Sequence, residues 1–288
     1  MKHAPRSPGV RPDMNSPLSR RAALARLGAG TLLALGAWPG ALRAADAGRG
    51  ADFRFLVVND THASTPECGP FLEGMARQMK GESGDFLLHC GDVTDKGEGR
   101  YFDLIQDALD PLGRRVYPVI GNHDYLSERD RSGYTRSFPL RINYYFRHRG
   151  WQFIGVDSSD GLRYDKTLIQ PATFAWLDDN LHRLDPRKPT VLFTHFPLGP
   201  DVRYRPGNAD ALLERFLDFN VQAVFCGHYH GLTERTRGAY ALTTNRCCAL
   251  RRGNHDGTKE KGYFVCEATG GRVARRFVEY KGPPTARG

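Results

Sequence analysis

Phe53-Arg54-Phe55-Leu56-Val57-Val58-Asn59-Asp60-Thr61-His62 is the stretch on which the fold turns. Apart from Arg54 it is apolar to Val58, as a strand buried on both faces requires, and it then breaks into a carboxylate and an imidazole. The same grammar recurs four times. Asp85 to Cys90 runs into Gly91-Asp92, and Arg115 to Ile120 into Gly121-Asn122-His123-Asp124. Thr190 to Thr194 runs into His195, and Gln222 to Cys226 into Gly227-His228-Tyr229-His230. Between these runs, Pro70 to Lys80, Arg100 to Leu109, Pro171 to Leu184 and Ala209 to Phe219 carry helical spacing. Short apolar runs alternating with longer amphipathic stretches predict an α/β fold. Asn143 to Arg147 and Trp151 to Val156 flank His148-Arg149-Gly150 as a tight hairpin. After residue 230, Ala239 to Thr244, Tyr263 to Glu267 and Arg272 to Tyr280 alternate with Gly-bearing turns, which predicts a second, antiparallel sheet.

With 40% hydrophobic and 25% charged residues the chain can bury a full core, which excludes disorder as its general state. Of the formal charge of +9, residues 1 to 47 supply +5, from Lys2 and six arginines against Asp13 and Asp46. The remainder is too weakly basic, and its aromatic residues too irregularly spaced, for a nucleic-acid groove, so no stable nucleic-acid partner is expected. Ser19-Arg20-Arg21-Ala22-Ala23-Leu24 followed by the uncharged Leu27 to Leu42 looks like a twin-arginine export signal. Ala45-Asp46-Ala47 offers a small-x-small cleavage site. That uncharged run is shorter than the roughly 20 apolar residues of a spanning helix and is broken by Pro39, so no membrane anchor is expected after signal removal. Residues 1–47 are accordingly read as signal peptide and 48–288 as a single domain, periplasmic or extracellular. The placement of the six cysteines suits no zinc knuckle, and their disulfide state is left open, as is the oligomeric state.

In open α/β sheets functional groups collect just past the carboxyl ends of strands, so the side chains that end these five runs should meet. Imidazole, carboxylate and amide oxygen are ligands for first-row metals, and Asp60, His62, Asp92, Asn122, His195, His228 and His230 are too many for one ion. Seven donors suit two ions clamping the oxygens of an in-line displacement, with Asp92 as the bridge. A second Gly-Asn-His-Asp at 253 to 256 follows Leu250-Arg251-Arg252 instead of an apolar run, and reads as a surface turn.

The ordered series Asp60-x-His62, Gly91-Asp92, Gly121-Asn122-His123-Asp124, His195 and Gly227-His228-x-His230 resembles the calcineurin-like metallophosphoesterase superfamily. Gly91 to Gly97 and the hairpin around Trp151 are most similar to its cyclic-nucleotide phosphodiesterase-like branch. The chain departs from that branch at His195-Phe196, where two consecutive histidines are common, and at Asn59, where a small residue or aspartate is usual. The purple acid phosphatase branch would want a tyrosine shortly after Gly91-Asp92, and Val93-Thr94-Asp95 supplies none. The resemblance implies a four-layer αββα sandwich, two mixed β-sheets flanked by helices, with a dinuclear site at strand C-terminal ends. It implies two ions from iron, manganese or zinc. One would be held by Asp60, His62, Asp92 and His230, the other by Asp92, Asn122, His195 and His228.

The function expected is hydrolysis of small phosphate mono- or diesters by a metal-bridging hydroxide. His123 is the candidate acid for the leaving group, with Asp124 orienting its imidazole. The loop from Ser127 to Arg141, with Arg129, Arg131, Arg136, Arg141 and Tyr134, could offer guanidinium groups to phosphate. Asp95 reads as a possible turn cap, and His89, His148 and His182 as structural or solvated. The rivals are a nuclease or nucleotidase of the same fold and a non-catalytic binding scaffold, though no ligand position is missing.

Overall fold

The computed structural model describes residues 51–282, so residues 1–47, read above as a signal peptide, lie outside the described residues. Five strands make the first sheet. β1 (Phe53–Val58), β2 (Phe86–His89) and β3 (Arg115–Pro118) run parallel, and β10 (Gly262–Thr269) and β11 (Arg272–Glu279) extend the β1 side antiparallel, in the order β11-β10-β1-β2-β3. The second sheet has six strands in the order β4-β5-β6-β7-β9-β8. Its parallel centre is β5 (Trp151–Gly155), β6 (Thr190–Phe193), β7 (Val221–Cys226) and β9 (Tyr240–Thr244), with β4 (Tyr144–His148) and β8 (Thr233–Arg237) antiparallel at the edges.

Side-chain alternation along β1 explains the layering. Phe53, Phe55 and Val57 point between the sheets, where they pack with Phe86, Phe153 and Phe225. Leu56 and Val58 point the other way, onto α1 (Cys68–Lys80) and α2 (Gly99–Leu109), which bury Leu72, Met75, Phe102 and Ile105. The outer face of the second sheet is covered likewise by α4 (Pro171–Asn180) and α5 (Ala209–Glu214), through Leu177, Leu212 and Leu213. Among the described residues the remaining α-helix is the short α3 (Ser132–Ser137). Two mixed sheets flanked by helices are thus the architecture implied above.

The C-terminal strands correct the sequence reading. They form no second antiparallel sheet of their own: β9 joins the second sheet parallel to β7, and β10 and β11 cross to the first. β8, polar at all five positions, carried no apolar signal. The helices after 171 and 209 also end earlier than their apolar spacing suggested, the first passing into a 3-10 turn at Leu181–Arg183. The 148–150 turn is tight, with Arg149 and Gly150 both left-handed at φ 47° and 84°. All six cysteines are free and buried; five pack among apolar side chains, while the Cys247 sulfur meets Lys261 Nζ at 2.9 Å.

Candidate metal centre

The carboxyl ends of β1, β2, β3, β6 and β7 face one edge, and the loops they release are stitched to each other. Asp60 N–H donates to the Gly91 carbonyl at 3.0 Å, His62 N–H to that of Asp92 at 3.1 Å, and Gly227 N–H to that of His195 at 2.8 Å. At Asp60, His62, Asp92, His228 and His230 the chain is left-handed, with φ of 53°, 44°, 50°, 63° and 49°. Such a conformation costs a non-glycine residue on the order of 1–3 kcal/mol. Here it turns each side chain back toward the sheet edge. Gly91, at φ 82°, passes so close to the His195 ring that a Cβ would lie 2.7 Å from its Nδ1.

The seven candidate ligands are brought together, each buried to 6% exposure or less. Donor atoms of Asp60, His62, Asp92 and His230 lie within 4.8 Å of one another, and so do those of Asp92, His195 and His228. Asn122 joins the second group, its Oδ1 3.3 Å from His195 Nε2. Asp92 belongs to both: its Oδ2 is 3.2 Å from His195 Nε2 and 3.6 Å from His62 Nε2.

The outer nitrogens of the four rings decide what the inner ones can do. Carbonyl oxygens only accept, so His195 Nδ1, His228 Nε2 and His230 Nδ1 must carry hydrogens for Cys90, Tyr164 and Gly253, at 2.9, 2.8 and 3.1 Å. His62 Nδ1 donates to the Asp95 carboxylate at 3.1 Å. In each neutral ring the inner nitrogen is then a bare lone pair, and these face each other in pairs. His62 Nε2 is 3.1 Å from His230 Nε2, and His195 Nε2 is 3.1 Å from His228 Nδ1. Four lone pairs and two carboxylates closing on one space require cations. The donor set fits two first-row ions, and the outer hydrogen bonds are those that hold metal-ligating histidines in the required tautomer.

The titration behaviour agrees. Burial disfavours charge on His230, but the Asp60 carboxylate overcomes it and raises the ring to about 11. Burial is likewise outweighed at His195, which Asp92 raises to about 9. Their partners stay neutral: burial lowers His62 to about 4, and burial with the neighbouring His195 lowers His228 to about 3. Asp60 and Asp92 are held below the usual carboxylate range by these imidazoliums against the opposing effect of burial. Without metal, one proton therefore sits in each group.

His123 lies at the cavity wall, its Nδ1 donating to the Asp95 carbonyl at 2.9 Å. Asp124 does not orient it. The Asp124 carboxylate is buried and accepts the backbone N–H of Thr94 at 2.8 Å and of Gly121 at 2.9 Å, so it ties the β2 and β3 loops together. Burial and the nearby Asp92 raise its pKa to about 7. Asp95 serves both His62 and Arg252, whose Nε donates to it at 3.0 Å. The Ser127 to Arg141 loop brings no arginine to the cavity: Arg131 pairs with Asp157 at 2.9 Å, Arg141 stacks on Tyr144, and Tyr134 is buried.

The cavity over the donors has a volume of about 420 Å³ and is rimmed by Leu162, Tyr164, Tyr204, Arg252 and His255. These five escaped the sequence reading. His255 does sit on an exposed turn, yet its ring stacks on His230 at 4.9 Å, so the second Gly-Asn-His-Asp borders the site. Asn59 is also accounted for: its Nδ2 donates to Asp60 at 2.5 Å and to the Asn245 carbonyl at 3.2 Å.

The model of the calcineurin-like phosphoesterase family matches residues 53–232, which include every candidate ligand. The chain belongs to that family. A Synechococcus protein described as a probable cyclic nucleotide phosphodiesterase is 31% identical over 207 residues, covering 68% of this chain and 76% of its own length. An Arcobacter nitrofigilis protein described as a probable glycerophosphodiester phosphodiesterase is 25% identical over 167 residues, or 51% and 56% of the two lengths. Among solved structures, a dimetal phosphatase from Danio rerio superposes with a TM-score of 0.59 at 16% identity, over 78% of this chain and 95% of that one. Family membership makes the chain a metal-dependent phosphoester hydrolase.

The two protons predict a pH signature. A histidine whose folded pKa is raised adds stability that is complete below about 6.5 and is lost as pH rises through the folded value. Metal-free protein should therefore melt progressively lower between pH 7 and pH 10, by about 2–4 °C per kcal/mol lost. Metal-loaded protein should not follow it. Calorimetry at pH 7.5 in buffers of different ionisation enthalpy should show at least two protons released per chain on loading with zinc or manganese, with a third if a bound water ionises. Melting temperatures that are flat without metal, together with no proton release, would contradict the assignment.

Proposed function

We propose that this chain is an exported phosphodiesterase acting on small organic phosphate diesters. The observation that carries the chemistry is the pairing of inner imidazole lone pairs around two buried carboxylates, of which Asp92 is common to both pairs, and this suits the cavity floor to cations. Ions bound there would lower the pKa of a water and neutralise charge on phosphoryl oxygens. The rest of the reaction falls to the chain's own side chains. Arg252, partly exposed at the rim and paired with Asp95, has further guanidinium N–H groups with which to meet an anionic ester. His123 has its Nδ1–H fixed by the Asp95 carbonyl, so Nε2 is the atom through which a proton passes to the departing alkoxide. Asp124 keeps the two loops in register and takes no part in proton transfer.

Diesters are preferred over monoesters in this reading because both relatives carry diesterase descriptions. Iron, manganese and zinc all suit the nitrogen and oxygen donors. Metal-loaded protein should turn over bis(p-nitrophenyl) phosphate faster than p-nitrophenyl phosphate, and the reverse order would sink the diesterase reading. His123→Ala should lose roughly 100-fold or more on a diester with an alkyl leaving group, and far less on a nitrophenyl diester whose nitrophenolate departs without a proton. Equal losses on both would remove His123 as the acid.

Export rests on Arg20-Arg21 and the uncharged run behind them. Residues 1–47 fused to a reporter should carry it to the bacterial periplasm, and Arg20→Lys with Arg21→Lys should retain it in the cytoplasm. A reporter that stays inside with both arginines intact would refute the proposal.

A further inference from the structure

The cavity floor reads phosphate; its rim is of another character. Tyr164, Tyr204 and His255 stand above the donors and belong to none of the ligand blocks. The Tyr204 ring meets His228 edge-on at 5.1 Å, Tyr164 at 6.3 Å and His255 at 5.8 Å, so the aromatic surface continues outward from the donors to solvent. Arg203 lies 4.5 Å over the Tyr204 ring and helps to fix its plane.

Tyr164 is the unusual member. The residue itself is 63% exposed, yet its backbone is pinned, because the Tyr164 carbonyl accepts His228 Nε2–H at 2.8 Å. The turn that leads to it is equally constrained. Gly161, at φ 58°, lies against the Glu128 carbonyl with no room for a Cβ, and Gln170 Nε2 donates to Asp160 at 2.9 Å. An exposed aromatic ring on a fixed backbone gains nothing for folding. It does offer a platform on which a flat ring can stack with little loss of side-chain entropy.

We propose that Tyr164, backed by Tyr204 and His255, is a stacking platform that selects phosphodiesters bearing a planar heteroaromatic ring, of the nucleotide class, over diesters of ring-free alcohols. This rests on the diesterase reading above. With phosphate over the donors, such a ring extends along the Tyr204 edge toward Tyr164, within a cavity of about 420 Å³ that suits a small ligand. Tyr164 acts as a specificity-determining residue, since it touches the organic group and no reacting atom.

The test compares kcat/KM for 3′,5′-cyclic AMP with that for glycerophosphoethanolamine on the metal-loaded enzyme. Tyr164→Ala should lower the ratio of the two by about tenfold, the effect of one stacked ring, through KM for the cyclic nucleotide. Tyr164→Phe should restore it. A Tyr164→Ala loss equal on both substrates, or a ratio that does not move, would overturn the proposal. A wild-type enzyme that hydrolyses neither ester would count against the diesterase reading instead. The platform is then judged by calorimetry with adenosine 5′-monophosphate and inorganic phosphate: the nucleotide must bind about tenfold tighter, and lose that margin in Tyr164→Ala, or the platform is refuted.

Discussion

Everything in this molecule is arranged around one electrostatic problem: four imidazoles whose outer nitrogens are committed to carbonyl or carboxylate acceptors must face each other across about 3.1 Å, beside two buried carboxylates. Left neutral, such a cluster would set lone pair against lone pair in a medium of low dielectric. Two positive charges resolve it, one for each half, with Asp92 between them. Protons fill that role when metal is absent, and the raised pKa values of His195 and His230 record the same demand.

The cost of the arrangement is spread over the backbone. Five of the seven donors sit on left-handed residues, a conformation that is held only where the surroundings leave no alternative. Those surroundings are the two parallel strand sets, the aromatic layer of Phe53, Phe55, Phe86 and Phe153 between them, and the loop-to-loop hydrogen bonds at their carboxyl edge. Asp124 belongs to this framework. It satisfies two backbone N–H groups between the β2 and β3 loops, which fixes Asn122 and His123 beside Asp92.

Much of this was legible in the amino-acid sequence because burial on both faces writes itself as continuous apolar runs, and the donors follow those runs directly. β1, β2, β3, β6 and β7 were all visible for that reason. β8 was not, since Thr233–Arg237 lies at a sheet edge with polar side chains facing solvent. The placement of β9, β10 and β11 was hidden as well, because strand partners are set by packing and not by local pattern. The same holds for the rim. His255 sits on a polar turn that resembled a decoy, and only its approach to His230 gives it a place at the site. Asp124 follows His123 in sequence but turns inward in space, which adjacency alone does not disclose.

The most direct test of the dinuclear centre is a crystal structure of the metal-loaded protein with anomalous scattering measured at the absorption edge of the added metal. Two peaks are expected, one among Asp60, His62 and His230 and the other among Asn122, His195 and His228, with the Asp92 carboxylate between them. A single peak, or metal bound away from these side chains with the four imidazoles still paired as they are here, would contradict the account.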